Sequence, residues 1–167
     1  MNTIFHKVAN QEEINQVVEL GATIWREHYS SLISMEQIDY MLDKYQSPIA
    51  IAEQMENQGY EYYLIKDDDS TVGYIGIMME EEKIFLSKLY VAKEARGNGF
   101  ASKAFAFLAD MAAENKKNAI WLTVNRHNDS SVAVYEKKGF VKVREQVADI
   151  GNGYVMDDFI MELAVAN

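Results

Sequence analysis

Hydrophobic residues along the chain fall into short runs and into helically spaced sets, and the two kinds of segment follow one another in a definite order. Runs rich in β-branched and aromatic residues predict strands at residues 4–8, 60–66, 71–80, 84–91, 119–124, 140–147 and 154–163. Apolar residues three and four positions apart predict helices at residues 10–29, 35–45, 48–58, 102–115 and 130–138. Three consecutive strands followed by alternating helices and strands predict an α/β fold of the α+β kind, with a central twisted mixed sheet flanked by helices.

Polar residues mark the starts of the first three predicted helices. Asn10 is followed three positions later by Glu13, a spacing typical of a capping box. Ser34 precedes the second helix in the same way. Ser47 precedes Pro48, whose fixed φ suits the first position of a helix. These residues predict where each helix begins.

Composition sets outer limits. The chain has 167 residues, is 49% hydrophobic and contains one proline, which predicts a single domain over residues 1–167. The absence of Cys excludes disulfides and a thiol nucleophile. With no signal sequence and no apolar stretch of membrane length, we expect a cytoplasmic protein without membrane contact. The histidines at 6, 28 and 127 lack an i, i+4 pair, so no metal site is expected.

A glycine-rich loop joins the predicted strand at 84–91 to the predicted helix at 102–115. Its sequence is Arg96-Gly97-Asn98-Gly99-Phe100-Ala101. Two glycines let a backbone approach a ligand closely, and the N–H groups at a helix N-terminus bind phosphate oxygens. The loop lacks the Gly-Lys-Ser/Thr of a Walker loop and the third glycine of the dinucleotide fingerprint. By itself Gly-Asn-Gly is also ordinary hairpin-turn chemistry, so the tripeptide alone leaves both interpretations open.

The loop resembles the Arg/Gln-x-x-Gly-x-Gly/Ala signature of the GCN5-related N-acetyltransferases, with Ala101 at the final position. A second block, Asn128-Asp129-Ser130-Ser131 followed by Tyr135 and Gly139-Phe140, resembles the later motif of the same family in order and spacing. The resemblance spans residues 82–140. The segments at 25–41 and 149–163 also look like bacterial members related to polyamine acetyltransferases.

The resemblance implies acetyl-CoA as co-substrate and assigns a role to each matching segment. In it, backbone groups of Leu89, Tyr90 and Val91 pair with the pantetheine arm, and Asn128 bonds a pantetheine amide. The residues expected at the diphosphate are Arg96, Gly97, Asn98, Gly99, Phe100, Ala101 and Ser102.

Tyr135 is the catalytic residue that the resemblance implies, and it would lie near the thioester sulfur. Full proton transfer from a phenol of pKa about 10 to a thiolate of pKa about 8.5 is uphill by about 2 kcal/mol. A hydrogen bond to the developing thiolate is therefore the more economical role. Without Asn128 and Gly139-Phe140 beside it, Tyr135 would be interpreted as a helix residue that packs on the sheet.

The attacking amine must be neutral, so some group must accept its proton. The candidates, which lie in segments that border the acceptor cleft in the resembling family, are Glu27, His28, Asp157 and Asp158. Each of the four is also interpretable as an ordinary surface or packing residue.

Charge is divided unevenly along the chain. Residues 83–144 hold twelve of the sixteen Lys and Arg and five of the twenty-six acids, so this window is about +7 and the remainder about −17. The basic part suits the phosphates of CoA, and the acidic part would attract a cationic amine. The acids are equally compatible with a role in solubility. A pI near 4.7 disfavours nucleic acid as a partner.

The sequence therefore predicts an N-acetyltransferase that uses acetyl-CoA to acetylate a small cationic amine such as a polyamine. Alternatives that remain open are acetylation of protein N-termini or lysines, and an acyl-CoA sensor without turnover or a protein that associates through its sheet edge. Dimers are frequent in the resembling family, so a homodimer is an open expectation.

Overall fold

The computed structural model describes residues 2–165 and confirms the predicted α+β arrangement. Within those residues the strands are β1 (Thr3–Lys7), β2 (Tyr60–Asp67), β3 (Ser70–Met79), β4 (Lys83–Val91), β5 (Ala119–Asn125), β6 (Val141–Gly151) and β7 (Tyr154–Ala164). The helices are α1 (Gln11–Tyr29), α2 (Met35–Tyr45), α3 (Pro48–Asn57), α4 (Phe100–Glu114) and α5 (Asp129–Lys137), with a 3₁₀ turn at Lys93–Ala95. No helix in the described residues is long and apolar enough to cross a membrane.

The three predicted N-caps are confirmed. The Asn10 side chain accepts from the Glu13 N–H at 2.9 Å, and the Ser34 hydroxyl accepts from the Gln37 N–H at 3.1 Å. The Ser47 hydroxyl accepts a bond of the same length at the start of α3. Each bond satisfies a donor that the first turn of a helix leaves unpaired.

Two boundaries differ from the sequence prediction by more than one residue. Helix α4 begins at Phe100 rather than at residue 102, and Phe100 is buried, which anchors the first turn. Strand β6 runs to Gly151 rather than to Val147 because it pairs with β7 along its length. Asn152 and Gly153, with φ of 54° and 79°, close the hairpin.

The strand order is β1-β2-β3-β4-β5-β7-β6. Four of the pairings, β1 with β2, β2 with β3, β5 with β7 and β6 with β7, are antiparallel. Strands β4 and β5 are parallel, in a ladder that runs from Lys83 opposite Ala119 to Phe85 opposite Trp121. The sheet is therefore mixed, as the alternation of helices and strands predicts.

Contacts divide the chain into two compact units. The first, here the N-terminal unit, contains residues 2–78 and 88–106, and the second, here the C-terminal unit, contains residues 79–87 and 107–165. A core of buried residues in the N-terminal unit consists of Val8, Ile14, Val17, Ile51, Tyr62, Leu64 and Tyr74. Buried apolar residues of the C-terminal unit include Leu108, Ala112, Ile120, Leu122, Phe140 and Met161. The expectation of a single domain stays a prediction.

Candidate active site

The glycine-rich loop has an open backbone at the start of α4. Gly97 and Gly99 both have φ of +82°, a conformation that side chains rarely adopt. Among residues 2–165, no atom outside the neighbouring residues lies within 4 Å of the position that a Cβ would occupy at either glycine. The Lys103 N–H donates to the Gly99 carbonyl at 3.0 Å, which sets the loop at the N-terminus of α4. A helix N-terminus next to an open glycine backbone is the geometry that binds phosphate.

Two polar side chains hold the loop in this shape. Asn98 donates to the Ala95 carbonyl at 2.9 Å, which closes the turn on itself. Arg96 donates through Nε to the Val91 carbonyl at 3.0 Å and forms an ion pair with Glu27 at 2.8 Å. The guanidinium therefore braces the loop against β4 and α1, and the backbone amides are left as the loop's donors to a phosphate.

Strand β4 ends in Leu89, Tyr90 and Val91, which are partly exposed. The Tyr90 ring lies 5.8 Å from Trp25 and 5.6 Å from Tyr74, measured between ring centroids. The Tyr90 hydroxyl is 3.2 Å from the Tyr29 hydroxyl. These ring contacts hold the backbone of the segment that the sequence assigns to the pantetheine arm, because aromatic pairs add to the stability of buried surface.

Gly73 of β3 is a residue that the sequence prediction missed. A Cβ at this position would lie 2.3 Å from the Tyr90 carbonyl oxygen and 3.2 Å from the Val91 Cα. Only glycine allows β4 to come this close to β3 here. An isolated glycine inside a strand is the available sequence signal, since it often marks a close backbone approach.

An acidic cleft of about 350 Å³ lies in the N-terminal unit. Its lining comes from α1, β3 and the segment that follows β4, and it consists of Gln16, Glu19, Leu20, Thr23, Ile24, Glu27, Thr71, Ala92, Lys93 and Glu94. Three carboxylates and one ammonium give the lining a net negative charge. Glu19 and Glu94 are exposed, whereas Glu27 is paired with Arg96.

Asn128 and Phe140 hold the ends of α5 in the C-terminal unit. Asn128 is the N-cap of α5 and is buried, and its side-chain oxygen accepts from the Ser131 N–H at 3.2 Å. Gly139 ends the helix with φ of 101°, and Phe140 directly after it is 2% exposed. Asn128 thus has a structural role in addition to the one that the sequence predicts.

Tyr135 lies in the last turns of α5 and is partly exposed. Its ring packs edge-on against Phe140, with centroids 5.8 Å apart, and its carbonyl accepts from the Phe140 N–H at 3.0 Å. The Gly-Phe that follows the helix in the sequence motif therefore sets the orientation of the tyrosine. This local arrangement explains why the three residues occur together at that spacing.

Two of the four candidate proton acceptors are held in ion pairs. Glu27 is paired with Arg96, and Asp157 is paired with Arg126 at 2.9 Å. Burial lowers the pKa of His28, the Arg96 guanidinium lowers it further, and Glu27 opposes both effects. A lowered pKa favours the neutral ring, which can accept a proton, so His28 stays a candidate.

Asp158 differs from these three. It lies in β7 of the C-terminal unit, is 7% exposed, and its Oδ1 has no hydrogen-bond partner among residues 2–165. Burial, and then the charge of Asp157, raise the pKa of this carboxyl to about 6.

The structure groups the predicted residues by unit. The N-terminal unit contains the β4 segment, the glycine-rich loop, Glu27 and His28, and the C-terminal unit contains Asn128, Tyr135, Asp157 and Asp158. No cluster of three metal-ligating side chains occurs within the part of the chain that the structure describes.

Comparisons with known proteins show which proteins this chain is similar to. The family description "Acetyltransferase (GNAT) domain" matches residues 29–158. An uncharacterized N-acetyltransferase of Lactobacillus delbrueckii subsp. lactis, from the pepI 3′ region, is 18% identical over 164 residues, which cover 93% of this chain and 94% of that protein.

Two solved structures show the same fold. The PaiA N-acetyltransferase of Thermoplasma acidophilum in complex with coenzyme A is 20% identical, with a TM-score of 0.81 over 98% of this chain and 99% of that one. A chimera of the spermidine N-acetyltransferase SpeG of Vibrio cholerae and hSSAT is 16% identical, with a TM-score of 0.69 over 98% and 96%.

Proposed function

Since the chain belongs to the GNAT family and is an acetyl-CoA-dependent N-acetyltransferase, we propose that its acceptor is a small cationic amine such as a polyamine. The acetyl group passes from the CoA sulfur to a primary amine nitrogen, and CoA leaves as the thiol.

Acetyl-CoA binding rests on backbone groups in this proposal. The amides at Gly97 to Ser102 donate to the diphosphate, since the glycines are open and the loop lies at the N-terminus of α4. The end of β4 pairs with the pantetheine arm as an added strand would. Asn128, at the start of α5, bonds a pantetheine amide.

Tyr135 then stabilises the leaving group. Its hydroxyl donates a hydrogen bond to the sulfur as negative charge develops there, and the proton that CoA finally carries comes from the attacking nitrogen. The packing of its ring on Phe140 supports this role, because a donor held in place does not have to reorganise during the reaction.

The proposal that the acceptor is a cationic amine rests on the acidic cleft in the N-terminal unit. Its glutamates create a negative field that concentrates cations and steers them to the cleft. The similarity in fold to a spermidine N-acetyltransferase supports the same class. An extended polyamine presents several ammonium groups, so one can contact these carboxylates while another is acetylated.

A thiol-release assay on a panel of amines tests the proposal. We expect spermidine and spermine to be acetylated with a higher kcat/KM than amines whose chain carries no further charge, amino acids or short peptides. This preference should decrease as salt is added, because salt screens the charges of the cleft. Preference for peptides would indicate a protein acetyltransferase. Binding of acetyl-CoA without turnover on any amine would indicate a sensor.

The double variant Glu19→Gln/Glu94→Gln tests the cleft itself. Exposed ion pairs contribute about 0.2–1 kcal/mol each, so the loss of two should raise KM for spermidine about 2- to 30-fold with kcat kept. Glu12→Gln, in the first turn of α1 and outside the cleft lining, is the matched control and should leave KM unchanged. An equal KM in the double variant and the control would contradict the role of the cleft.

Lys88 favours a second candidate, an amine that also carries a carboxylate. Its ammonium lies over the Tyr60 and Tyr62 rings, 5.4 and 5.8 Å from their centroids, and burial lowers its pKa to about 8. A cation on β4, one residue before the predicted pantetheine segment, suits an anionic group on the acceptor. In the panel, Lys88→Met would then lower activity on amino acids and spare spermidine.

A further inference from the structure

Asp158 is a buried carboxylate at the centre of three antiparallel strands. It lies opposite Asn125 of β5 and Gln146 of β6. Its Oδ1 is inaccessible to solvent and has no hydrogen-bond partner within residues 2–165. Buried carboxylate oxygens are almost always satisfied, because an unpaired one loses its hydration without compensation. An unpaired oxygen of this kind needs a donor from outside the chain.

Arg126 and Lys83 are engaged by carboxylates other than Asp158. Arg126, which directly follows β5, binds Asp157 at 2.9 Å and Glu145 at 2.7 Å. Both residues directly opposite Asp158 are neutral amides. Four residues further along β7, Glu162 is paired with Lys83 at 2.8 Å.

A cleft lies further along the face of the sheet that carries Asp158. Residues directly opposite in neighbouring strands share a face, so Ile160 and Arg144 continue this face two positions from Asp158. Both line a cleft of about 400 Å³ in the C-terminal unit, together with Trp121 and Glu162. Arg144 is a cation on this face of β6, two positions from Gln146, which lies directly opposite Asp158.

Acetyl transfer to an alkylamine requires a proton acceptor. The amine is protonated near pH 7, and its lone pair attacks only after one proton has left. We propose that Asp158 is the base that takes this proton from the acceptor ammonium, directly or through one water molecule. The proposal rests on the N-acetyltransfer described above and does not depend on the acceptor being a polyamine.

The step balances as follows. Asp158 takes one proton from R–NH₃⁺ and becomes a neutral acid, and the amine lone pair forms the C–N bond with the thioester carbonyl. The C–S bond then breaks, the nitrogen loses its second excess proton to the thiolate, and the products are the amide and CoA thiol. Asp158 finally releases its proton to solvent.

The environment of the carboxyl supports this role. Burial and the neighbouring Asp157 raise its pKa from 3.8 to about 6, which makes it about 100-fold stronger as a proton acceptor. It is still ionised at pH 7.5. Glu27 and Asp157, by contrast, are held in ion pairs.

The test compares Asp158→Asn with Asp110→Asn, which changes an exposed carboxylate of α4. We expect Asp158→Asn to lower kcat about 100- to 1,000-fold with the acetyl-CoA Kd unchanged. The remaining kcat should rise with pH, because the amine then loses its proton to solvent. The wild-type kcat should be level above about pH 7. Asp110→Asn should keep kcat within about threefold.

The assignment would be overturned if kcat of Asp158→Asn stayed within threefold of wild type, or if its pH profile were unchanged. It would also be overturned if only KM for the amine rose, because Asp158 would then bind the ammonium without accepting its proton. If Asp158→Asn fails to bind acetyl-CoA, kcat is measured instead for Asp158→Ala with and without added formate. Restoration of kcat by formate supports the base, and no restoration rejects it.

Failure of the polyamine proposal is distinguishable from failure of this one. If the wild-type enzyme prefers another amine of the panel, the proposal of a polyamine acceptor is rejected. The Asp158 variants are then measured on the preferred amine, and the same outcomes apply.

Discussion

Gly73→Ala tests whether the close approach of β3 to β4 positions the acetyl-CoA strand. The added Cβ would lie 2.3 Å from the Tyr90 carbonyl oxygen and 3.2 Å from the Val91 Cα. Both are backbone atoms, so neither can turn away as a side chain does. An ordinary carbon–oxygen contact is about 3.3 Å, so the end of β4 must move by about 1 Å.

The displacement has a cost in stability and a cost in binding. Overpacking costs about 1–3 kcal/mol, which at this chain length lowers Tm by about 3–10 °C. Hydrogen bonds between the moved strand and the pantetheine arm contribute about 1 kcal/mol each, so weakening two of them raises the acetyl-CoA Kd about tenfold.

Thermal melts and calorimetric titration with acetyl-CoA measure the two effects separately. Gly59→Ala is the control, because Gly59 has φ of +78° and no atom within 4 Å of its Cβ position. Backbone strain there should cost about 1–2 kcal/mol in stability and leave the acetyl-CoA Kd unchanged. If Gly73→Ala keeps the wild-type Kd while Tm falls, the end of β4 does not hold acetyl-CoA. If both quantities are unchanged, the steric reasoning is wrong.

Three further predictions concern single residues. Tyr135→Phe should lower kcat at least tenfold in the thiol-release assay with the acetyl-CoA Kd nearly kept, and equal turnover would reject Tyr135 as the donor to the thiolate. Gly99→Val should weaken acetyl-CoA binding in calorimetry beyond any effect of Gly59→Val, whose similar φ supplies the same backbone strain; equal Kd values in the two variants would refute the diphosphate site. Asp158→Asn should stabilise the protein by up to about 3 kcal/mol at pH 7.5 and not at all below pH 3.8. The reason is that the raised pKa of the wild-type carboxyl makes the native state bind more protons than the unfolded state between pH 3.8 and 6. The wild-type protein therefore loses stability as the pH rises through that window, and the variant does not. Denaturation across pH 3.5–8 measures this gain, and a gain independent of pH would contradict it.

Features that depend on neighbours in the sequence were predictable. Asn10, Ser34 and Ser47 cap their helices through bonds to amides three residues away, and a contact of that range is visible in the order of residues. The glycines of the loop after β4 adopt the positive φ that their type allows. The N-acetyltransferase family was recognisable for the same reason, since both motifs are local.

Tertiary structure decided which of the predicted polar residues remain available for chemistry. Glu27 and Arg96 are far apart in the sequence and pair only because α1 packs beside the loop. Gly73 matters only because β4 lies against it. Asp158 and Asp157 are adjacent and chemically identical, yet Asp157 is paired with Arg126, whereas Asp158 is buried and its Oδ1 has no hydrogen-bond partner within residues 2–165. Burial depends on strands that come from distant parts of the chain, so the sequence predicted the pair of carboxylates and only the folded sheet distinguished them.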